Sequence, residues 1–333
     1  MLDFKKLTLN ELCDILCKNE RTLIVYHVRS DADAIGSAFA LKEILSLMGI
    51  SAFCACSDEV PSRLRFLSDD SQGSVLIDPE MPIDHERVIS VDSASPSQLG
   101  AIFDYLKKDV DIMIDHHAMG TVYADNYIDA DAAATAEIIY DIATELVKRG
   151  DISYIPTEVY SLIYAGLSSD TGGFRFANAT PKAYRIAADI IEKGVDAAYI
   201  NHMLFSSKSS KQLAAEGEAA RRLNLYCSKT VAVTTIPYTA KFSLGLDDES
   251  METVIDIPRS LAGVVVAVAI RQSSSENIFR ASMRSIGEID VSYICSKFGG
   301  GGHKRAAGCT IEACSIDEAE KLIVREIKEY LSK

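Results

Sequence analysis

Short apolar runs alternate with segments of helical periodicity along the first two thirds of the chain. Residues 22–27 are apolar and rich in β-formers, and residues 34–48 then carry apolar side chains at helical spacing up to Gly49. Repetition of this strand, loop and helix pattern predicts an α/β domain with a mostly parallel sheet flanked by helices on both faces. Further strands are predicted at about 51–56, 74–77, 87–91 and 110–114, and helices at about 97–107, 133–148, 156–168 and 181–193.

The pattern changes at about residue 206. Residues 206–225 are serine-rich at first and then helix-forming, which indicates a helical linker. Beyond the linker, three apolar runs predict strands and a final segment predicts an amphipathic helix, at 229–236, 263–271, 277–285 and 315–331. We therefore predict two domains, residues 1–205 and residues 226–333, the second being a smaller mixed α/β domain.

Length and composition agree with two globular domains. The chain has 333 residues, and single cores stop growing at about 250 to 300 residues. Its longest apolar stretch, Leu261–Ile270, is far shorter than the about 20 residues that span a bilayer, and acids interrupt the N-terminal segment. The 8 cysteines show no CxxC pairs, so they indicate reduced thiols. We expect a cytoplasmic protein without a membrane anchor.

The charge is acidic and unevenly distributed. The net charge is -14, and residues 1–225 hold 21 basic and 34 acidic side chains. Affinity for long nucleic acids comes largely from neutralisation of phosphates by basic groups. The composition therefore argues against a long duplex as the ligand and leaves a short or small phosphorylated ligand open.

A first set of ligand-type side chains follows the first predicted strand. His27 is followed by Asp31 and Asp33, just before a helix rich in small residues. Ligands of open α/β sheets bind beyond the carboxyl ends of the strands. Asp33 alone could equally be the N-cap of that helix. Two carboxylates and an imidazole this close together are better explained by a cation, because uncompensated carboxylates repel each other.

Later strand ends repeat the pattern. Asp92 follows the strand predicted at 87–91, and Asp115, His116 and His117 follow the strand at 110–114. Side chains alternate along an extended strand, so we expect only one of the two histidines to face a metal and the other to face substrate.

Asp170 belongs to a fourth such segment. It ends a predicted helix, and Gly172 and Gly173 then permit a sharp turn. An ordinary helix C-terminus is the alternative interpretation of this segment. Taken together, the four segments supply imidazoles and carboxylates but no thiolates, a set that suits Mn²⁺, with Mg²⁺, Fe²⁺ or Co²⁺ as substitutes.

The C-terminal part contains a glycine run followed by basic residues, FGGGGHKRAAGC. Consecutive glycine amides can form an anion-binding nest, although a flexible turn is the alternative. In the predicted strand 277–285, Phe279, Ala281 and Met283 alternate with Arg280, Ser282 and Arg284. One face of this strand is therefore apolar and the other can offer guanidinium groups.

The order HVRSDADAIGS, VDSAS, DHHAMG, SSDTGGFRF and GGGGHKRAAGC resembles the DHH phosphoesterase superfamily with its DHH-associated C-terminal domain. Within it, the chain is most similar to the group of nanoRNA oligoribonucleases and pAp (3′-phosphoadenosine 5′-phosphate) phosphatases. The resemblance implies an active site in the cleft between the domains. Ser30 departs from the family pattern, which commonly has proline there.

The resemblance also implies roles for individual residues. Two divalent ions, most simply Mn²⁺, would be bound, one by His27, Asp31 and Asp92 and the other by Asp33, Asp92, His116 and Asp170. Asp115 would orient His116, and His117 would face the scissile phosphate as a catalytic group. The terminal phosphate of the substrate would be held by Arg284, by His303 and by the glycine loop Gly300, Gly301 and Gly302, with Arg271 as a further candidate.

The implied function is metal-dependent hydrolysis of short oligoribonucleotides to mononucleotides, of pAp to AMP, or of both. The ligand would be short RNA or a small phosphorylated nucleotide, and a homodimer is possible within this family. Two alternatives stay open from the sequence, an inorganic pyrophosphatase with the same metal cluster and a catalytically silent nucleotide-binding regulator.

Overall fold

A computed structural model describes residues 4–68, 75–76, 84–107, 109–272, 274 and 277–332 of the chain. The described chain divides into two units, one ending at Ser207 and the other beginning at Lys208. None of the described helices is long and apolar enough to cross a membrane.

The first unit alternates strands and helices as predicted, with the strand Asp125–Ile128 and the helix Ala197–Phe205 as additional elements that were not predicted. Its elements are α1 Leu9–Leu16, β1 Thr22–Val25, α2 Ala32–Leu47, β2 Ala52–Cys56, β3 Val75–Leu76, β4 Arg87–Val91, α3 Ala101–Tyr105, β5 Ile112–Asp115, β6 Asp125–Ile128, α4 Thr135–Arg149, α5 Thr157–Asp170, α6 Pro181–Glu192 and α7 Ala197–Phe205. Single 3₁₀ helices lie at Ser62–Leu67 and Pro96–Leu99.

Within the described residues, the strands of this unit form one parallel sheet in the order β3-β2-β1-β4-β5-β6. Both faces of the sheet are covered, as predicted. Leu23 and Val25 pack with Ile102 on one face, whereas Ile24 packs with Ile35 on the other. This alternation follows from the period of two along a strand, and it explains why the strands lack polar faces.

Helix α2 is buried on nearly all sides, because it lies against α5 as well as near the sheet. The approach is close enough that a Cβ atom on Gly36 would lie 2.5 Å from the carbonyl oxygen of Leu162. The small residues that follow Asp33 therefore permit contact between two helix backbones.

The second unit is a mixed sheet with helices, as predicted. Its elements are α8 Ser210–Arg221, β7 Asn224–Tyr226, β8 Val231–Ile236, α9 Tyr238–Ser243, a 3₁₀ helix Glu249–Ile255, α10 Asp256–Arg259, β9 Val266–Arg271, β10 Ile278–Ser285, α11 Val291–Ser296, β11 Gly301–His303, β12 Ala306–Glu312 and α12 Ile316–Leu331. In the part of the unit that the structure describes, the strand order is β11-β12-β10-β9-β8-β7, with only the β8–β9 pair parallel.

Several elements differ from the sequence-based predictions. The helix predicted at 97–107 is a 3₁₀ turn followed by the short α3, and part of the strand predicted at 74–77 lies outside the described residues. The predicted linker at 206–225 contains α8, whose Ala215 and Ala219 are buried in a core of the second unit. The assignment of catalysis to one domain and substrate binding to the other stays a prediction.

Candidate metal centre

The order of the first sheet reverses between β1 and β4, which are neighbours although β2 and β3 lie between them in sequence. Such a reversal creates a crevice at the carboxyl ends of the two strands. His27 and Asp31 follow β1, and Asp92 directly follows β4. The topology therefore brings the first two predicted segments to one place.

His27, Asp31 and Asp92 form one group whose ligand-type atoms all lie within 4.8 Å of one another. The His27 Nε2 atom is 3.8 Å from Asp31 Oδ1 and 3.5 Å from Asp92 Oδ2. The His27 Nδ1 atom donates to the carbonyl of Val28 at 2.9 Å, which aims Nε2 at the carboxylates. Burial disfavours the imidazolium, but the carboxylates of Asp31 and Asp92 outweigh it and raise the pKa of His27 to about 11.

A second group consists of Asp33, His116 and Asp170, and it borders on Asp92. The His116 Nε2 atom lies 3.2 Å from Asp170 Oδ2 and 3.8 Å from Asp92 Oδ1. Burial opposes protonation of His116, but Asp170 and then Asp33 raise its pKa to about 10. All six residues predicted as metal ligands are thus together in the structure.

Asp33 is fully buried and does not cap its own helix. Asp31 is the N-cap of α2, since its Oδ1 accepts from the backbone N–H groups of Asp33 and Ala34 at 3.0 and 3.1 Å. The Asp33 carboxylate instead accepts from the N–H groups of Thr135 and Ala136 at 2.7 and 2.8 Å, at the start of α4. The capping alternative for Asp33 is therefore wrong for α2.

The buried carboxylates of this site repel each other. Burial, followed by the charges of Asp92 and Asp170, raises the pKa of Asp33 well above its usual range. Burial likewise raises the pKa of Asp170 to about 6. A divalent cation would relieve this repulsion, and the donor set of imidazoles and carboxylates fits Mn²⁺ or Mg²⁺ rather than a thiolate-bound zinc.

The two adjacent histidines lie side by side next to Asp92, and the assignment of one to a metal and the other to substrate stays a prediction. Their ring centroids are 4.6 Å apart, and both rings lie within 4.8 Å of an Asp92 oxygen. The strict alternation of an extended strand does not apply to them, because β5 ends at Asp115.

Asp115 contacts His117 and not the ring of His116, which corrects the role that the resemblance implied. The Nδ1 atom of His117 donates to Asp115 Oδ1 at 2.8 Å, whereas Nδ1 of His116 donates to the carbonyl of Ala132 at 3.3 Å. The hydrogen bond that His117 donates to Asp115 raises the pKa of His117.

The segment after Asp170 turns as the sequence predicted. Gly172 and Gly173 have φ values of 59° and 67°, which most side chains disfavour. A Cβ atom on Gly172 would lie 2.4 Å from the ring of Phe176. The turn lets α5 end at Asp170, with its carboxylate in the cluster.

Two residues that hold the site were not predicted. The Thr135 hydroxyl donates to Asp92 Oδ1 at 2.9 Å, and both residues are buried. Gly166 on α5 provides space, because a Cβ atom there would lie 2.7 Å from Asp33 Oδ1. The only sign of these roles in the sequence is a run of small residues at 132–136. Such a run does not show which residues, 43 or more positions away along the chain, it will contact.

The predicted substrate-binding arginines lie on the second sheet. The Arg271 Nη1 atom donates to the carbonyl of Met251 at 3.1 Å, and Arg284 Nη1 donates to the carbonyl of Met283 at 3.0 Å. Both side chains are half-buried, and burial lowers the pKa of each guanidinium.

The glycine loop of the second unit contains positions with different constraints. A Cβ atom on Gly300 would lie 2.2 Å from the carbonyl oxygen of Gly308, and one on Gly302 would lie 2.6 Å from that of Ala306. Gly301 has open space around it. Gly300 and Gly302 thus permit the loop to pack closely against β12. The prediction of an anion-binding nest had not included this packing role. The side chain of His303 lies outside the described structure.

Two family models match most of the chain. The N-terminal domain of the DHH family matches residues 21–167, and the DHHA1 domain matches residues 228–333.

Two relatives that are similar to this chain over nearly its full length are both named as bifunctional oligoribonucleases and PAP phosphatases. The bifunctional oligoribonuclease and PAP phosphatase NrnA of Thermus thermophilus is 29% identical over 93% of this chain and 90% of its own length. The protein of that name in Bacillus subtilis is 26% identical over 91% and 92%, respectively. An exopolyphosphatase-related protein from Bacteroides fragilis, 20% identical, has the same fold, with a TM-score of 0.88 over 97% of this chain and 96% of that one. The chain therefore contains a DHH-family N-terminal domain at residues 21–167 and a DHHA1 domain at residues 228–333.

Proposed function

We propose that this protein is a metal-dependent phosphoesterase that hydrolyses short oligoribonucleotides to mononucleotides and pAp to AMP. Support comes from the acidic cluster together with the near full-length similarity to proteins named oligoribonuclease and PAP phosphatase. The acidic chain favours short substrates, because a long duplex demands a broad basic surface.

The position of Asp92 carries the proposal. Its Oδ2 atom lies 3.5 Å from His27 Nε2, and its Oδ1 atom lies 3.8 Å from His116 Nε2. One carboxylate thus borders two groups of ligands, as expected for a residue shared by two ions. We propose Mn²⁺ for both positions, with His27, Asp31 and Asp92 as one ligand set and Asp33, Asp92, His116 and Asp170 as the other.

Divalent cations held by these residues would supply Lewis-acid chemistry, making a water more acidic and offsetting charge on the phosphoryl oxygens. The chain's own contribution is to fix the ligands before substrate arrives. Asp33 is held by three donors, namely the N–H groups of Thr135 and Ala136 and the hydroxyl of Ser37 at 3.1 Å. Buried carboxylates fixed in this way need little reorganisation during reaction.

His117 is the proposed catalytic proton donor or oxyanion partner. Its Nδ1 atom is bound to Asp115, so Nε2 is left to face a substrate oxygen, and its side chain is 34% exposed. Asp115 stabilises the imidazolium, which a phosphoryl or leaving oxygen can use as a hydrogen-bond donor.

For the second unit we propose a binding site for the terminal phosphate of the substrate, which we call the phosphate grip. Arg284 has a half-buried guanidinium that forms no ion pair with a described residue, and a Cβ atom on Gly301 would meet nothing within 4 Å. We propose Arg284, His303 and the loop of Gly300, Gly301 and Gly302 as the phosphate contacts, with Arg271 in a supporting position. Cytoplasmic location and a homodimeric state are further expectations for such an enzyme.

The test is hydrolysis of pAp and of an RNA dinucleotide by metal-stripped protein before and after addition of Mn²⁺. Asp92→Asn serves as the control for contaminating nucleases, and pyrophosphate as the control substrate. We expect Mn²⁺-dependent AMP and mononucleotide release by the wild type alone. Hydrolysis of pyrophosphate only would identify a pyrophosphatase, and inactivity of Mn²⁺-bound protein on all substrates would identify a regulator.

A further inference from the structure

The segment of residues 132–136, which includes the start of α4, contacts three of the proposed metal ligands. The Ala132 carbonyl accepts from His116 Nδ1 at 3.3 Å, and the N–H groups of Thr135 and Ala136 donate to Asp33. The Thr135 hydroxyl donates to Asp92. Residues far apart in sequence are thus held by one short piece of chain.

Thr135 is the member of this segment whose side chain acts on the site. Its hydroxyl lies 2.9 Å from Asp92 Oδ1, the oxygen that faces His116. The other oxygen, Oδ2, faces His27. A donor fixed to one oxygen of a carboxylate restricts its rotation, and therefore determines which oxygen each ligand group meets.

The segment is itself firmly anchored. The Glu137 carboxylate is 1% exposed, accepts from the N–H of Ala133 at 3.2 Å and pairs with Lys182 at 3.0 Å. The side-chain amide of Asn178 donates to the carbonyls of Ala133 and Asp170 at 3.0 and 3.1 Å. Thr135 is consequently presented by backbone that is tied to α5 as well as to α4.

We propose that Thr135 is a positioning residue for the metal centre, and that its hydroxyl keeps the Asp92 carboxylate in the rotation needed to serve both ligand groups. The inference deepens the proposed function and rests on it. Without the hydroxyl, Asp92 Oδ1 loses a buried donor and the carboxylate is free to turn. Partners of metal ligands typically contribute about 10- to 100-fold to metal affinity.

The test compares Thr135→Val, which has nearly the same shape without the hydroxyl, with Thr135→Ser, which restores the hydroxyl. Thr234→Val is the matched control, because the Thr234 hydroxyl is equally buried and donates to the carbonyl of Ala219 in the second unit. Mn²⁺ affinity is measured without substrate, from the loss of the electron paramagnetic resonance signal of free Mn²⁺, and folding is measured by thermal unfolding.

We expect Thr135→Val to bind Mn²⁺ at least about 10-fold more weakly, and Thr135→Ser and Thr234→Val to bind within about threefold of the wild type. Equal affinity in wild type and Thr135→Val, or no recovery in Thr135→Ser, would overturn the positioning role. If the wild type binds no Mn²⁺, the proposed function itself fails.

Should Thr135→Val not fold, Thr135→Ala removes the same hydroxyl with a smaller side chain and is judged by the same affinity criterion. Loss of folding in both variants would assign Thr135 a purely structural role and reject the inference.

Discussion

The acidic cluster of the first unit and the predicted phosphate-binding residues of the second, Arg271, Arg284 and residues 300–302, differ in how many protein hydrogen bonds fix them. In the first unit, the buried Asp33 carboxylate accepts hydrogen bonds from backbone N–H groups, and the His27 imidazole donates one to a backbone carbonyl. In the second unit, the guanidinium groups of Arg271 and Arg284 rest on backbone carbonyls.

The difference reflects the chemistry of the two kinds of ligand. A metal needs several donors at short, fixed distances, so its protein ligands are held before binding. A phosphate can be met by long, flexible cations and by backbone amides, which need no preformed cluster. Geometry therefore supports the metal centre more directly than the phosphate grip.

The largest expected effect comes from removing a ligand of only one ion. Asp170→Asn should lower hydrolysis of pAp by at least about 100-fold and reduce bound Mn²⁺ from two ions to one, because Asp170 belongs to only one ligand group. Equilibrium dialysis with metal analysis gives the stoichiometry. Two ions bound by Asp170→Asn would contradict the assignment of this residue.

A change in packing should affect the cluster almost as strongly. Gly166→Ala places a Cβ atom 2.7 Å from both Asp33 Oδ1 and Ala136 Cβ, so it should lower the free energy of unfolding by about 1–3 kcal/mol and weaken Mn²⁺ binding. Gly217→Ala in α8 meets nothing within 4 Å and should stabilise by about 0.5–1 kcal/mol. Urea titration measures the free energy of unfolding of the two variants. Equal effects of the two substitutions would show that α5 can shift away from Asp33.

The phosphate grip should respond in substrate binding and not in metal binding. Arg284→Gln should raise KM for pAp about 10-fold, since a charged hydrogen bond contributes about 1.5–3 kcal/mol, while Mn²⁺ stoichiometry stays unchanged. Arg280→Gln on the same strand is the control, because Arg280 is exposed. Steady-state kinetics at saturating Mn²⁺ separate an effect on substrate binding from an effect on metal binding. A KM equal to that of Arg280→Gln would remove Arg284 from the grip.

The smallest expected effect is a shift in pH dependence. Asp115 raises the pKa of His117, so the protonated ring, present below that pKa, persists to higher pH than it otherwise would. Asp115→Asn removes this charge and should move the alkaline limb of kcat/KM to lower pH. Measurement of kcat/KM as a function of pH at saturating Mn²⁺, for the wild type and Asp115→Asn, tests this shift. An unmoved limb would mean that His117 does not act in its protonated form.

Much of the first unit could be predicted because local patterns determine it. Apolar runs gave strands β1, β2, β4 and β5, and ligand-type residues followed three of them. The parallel sheet then required these strand ends to meet at one edge. By contrast, β6 and α7 were missed, and the second unit's short helices and β12 were hidden in segments without a clear period.

By itself, the sequence determined the α/β class, the likeness of its two domains to DHH and DHHA1 domains, and which residue types gather at the strand ends, because hydrophobic periodicity and short motifs are local properties. Tertiary structure alone decided that Asp31 caps α2, that Asp33 meets α4 and that Asp115 pairs with His117. It also decided that Thr135 and Gly166 shape the cluster. Those contacts depend on where strands end and how closely helices pack, which is settled only when distant segments meet.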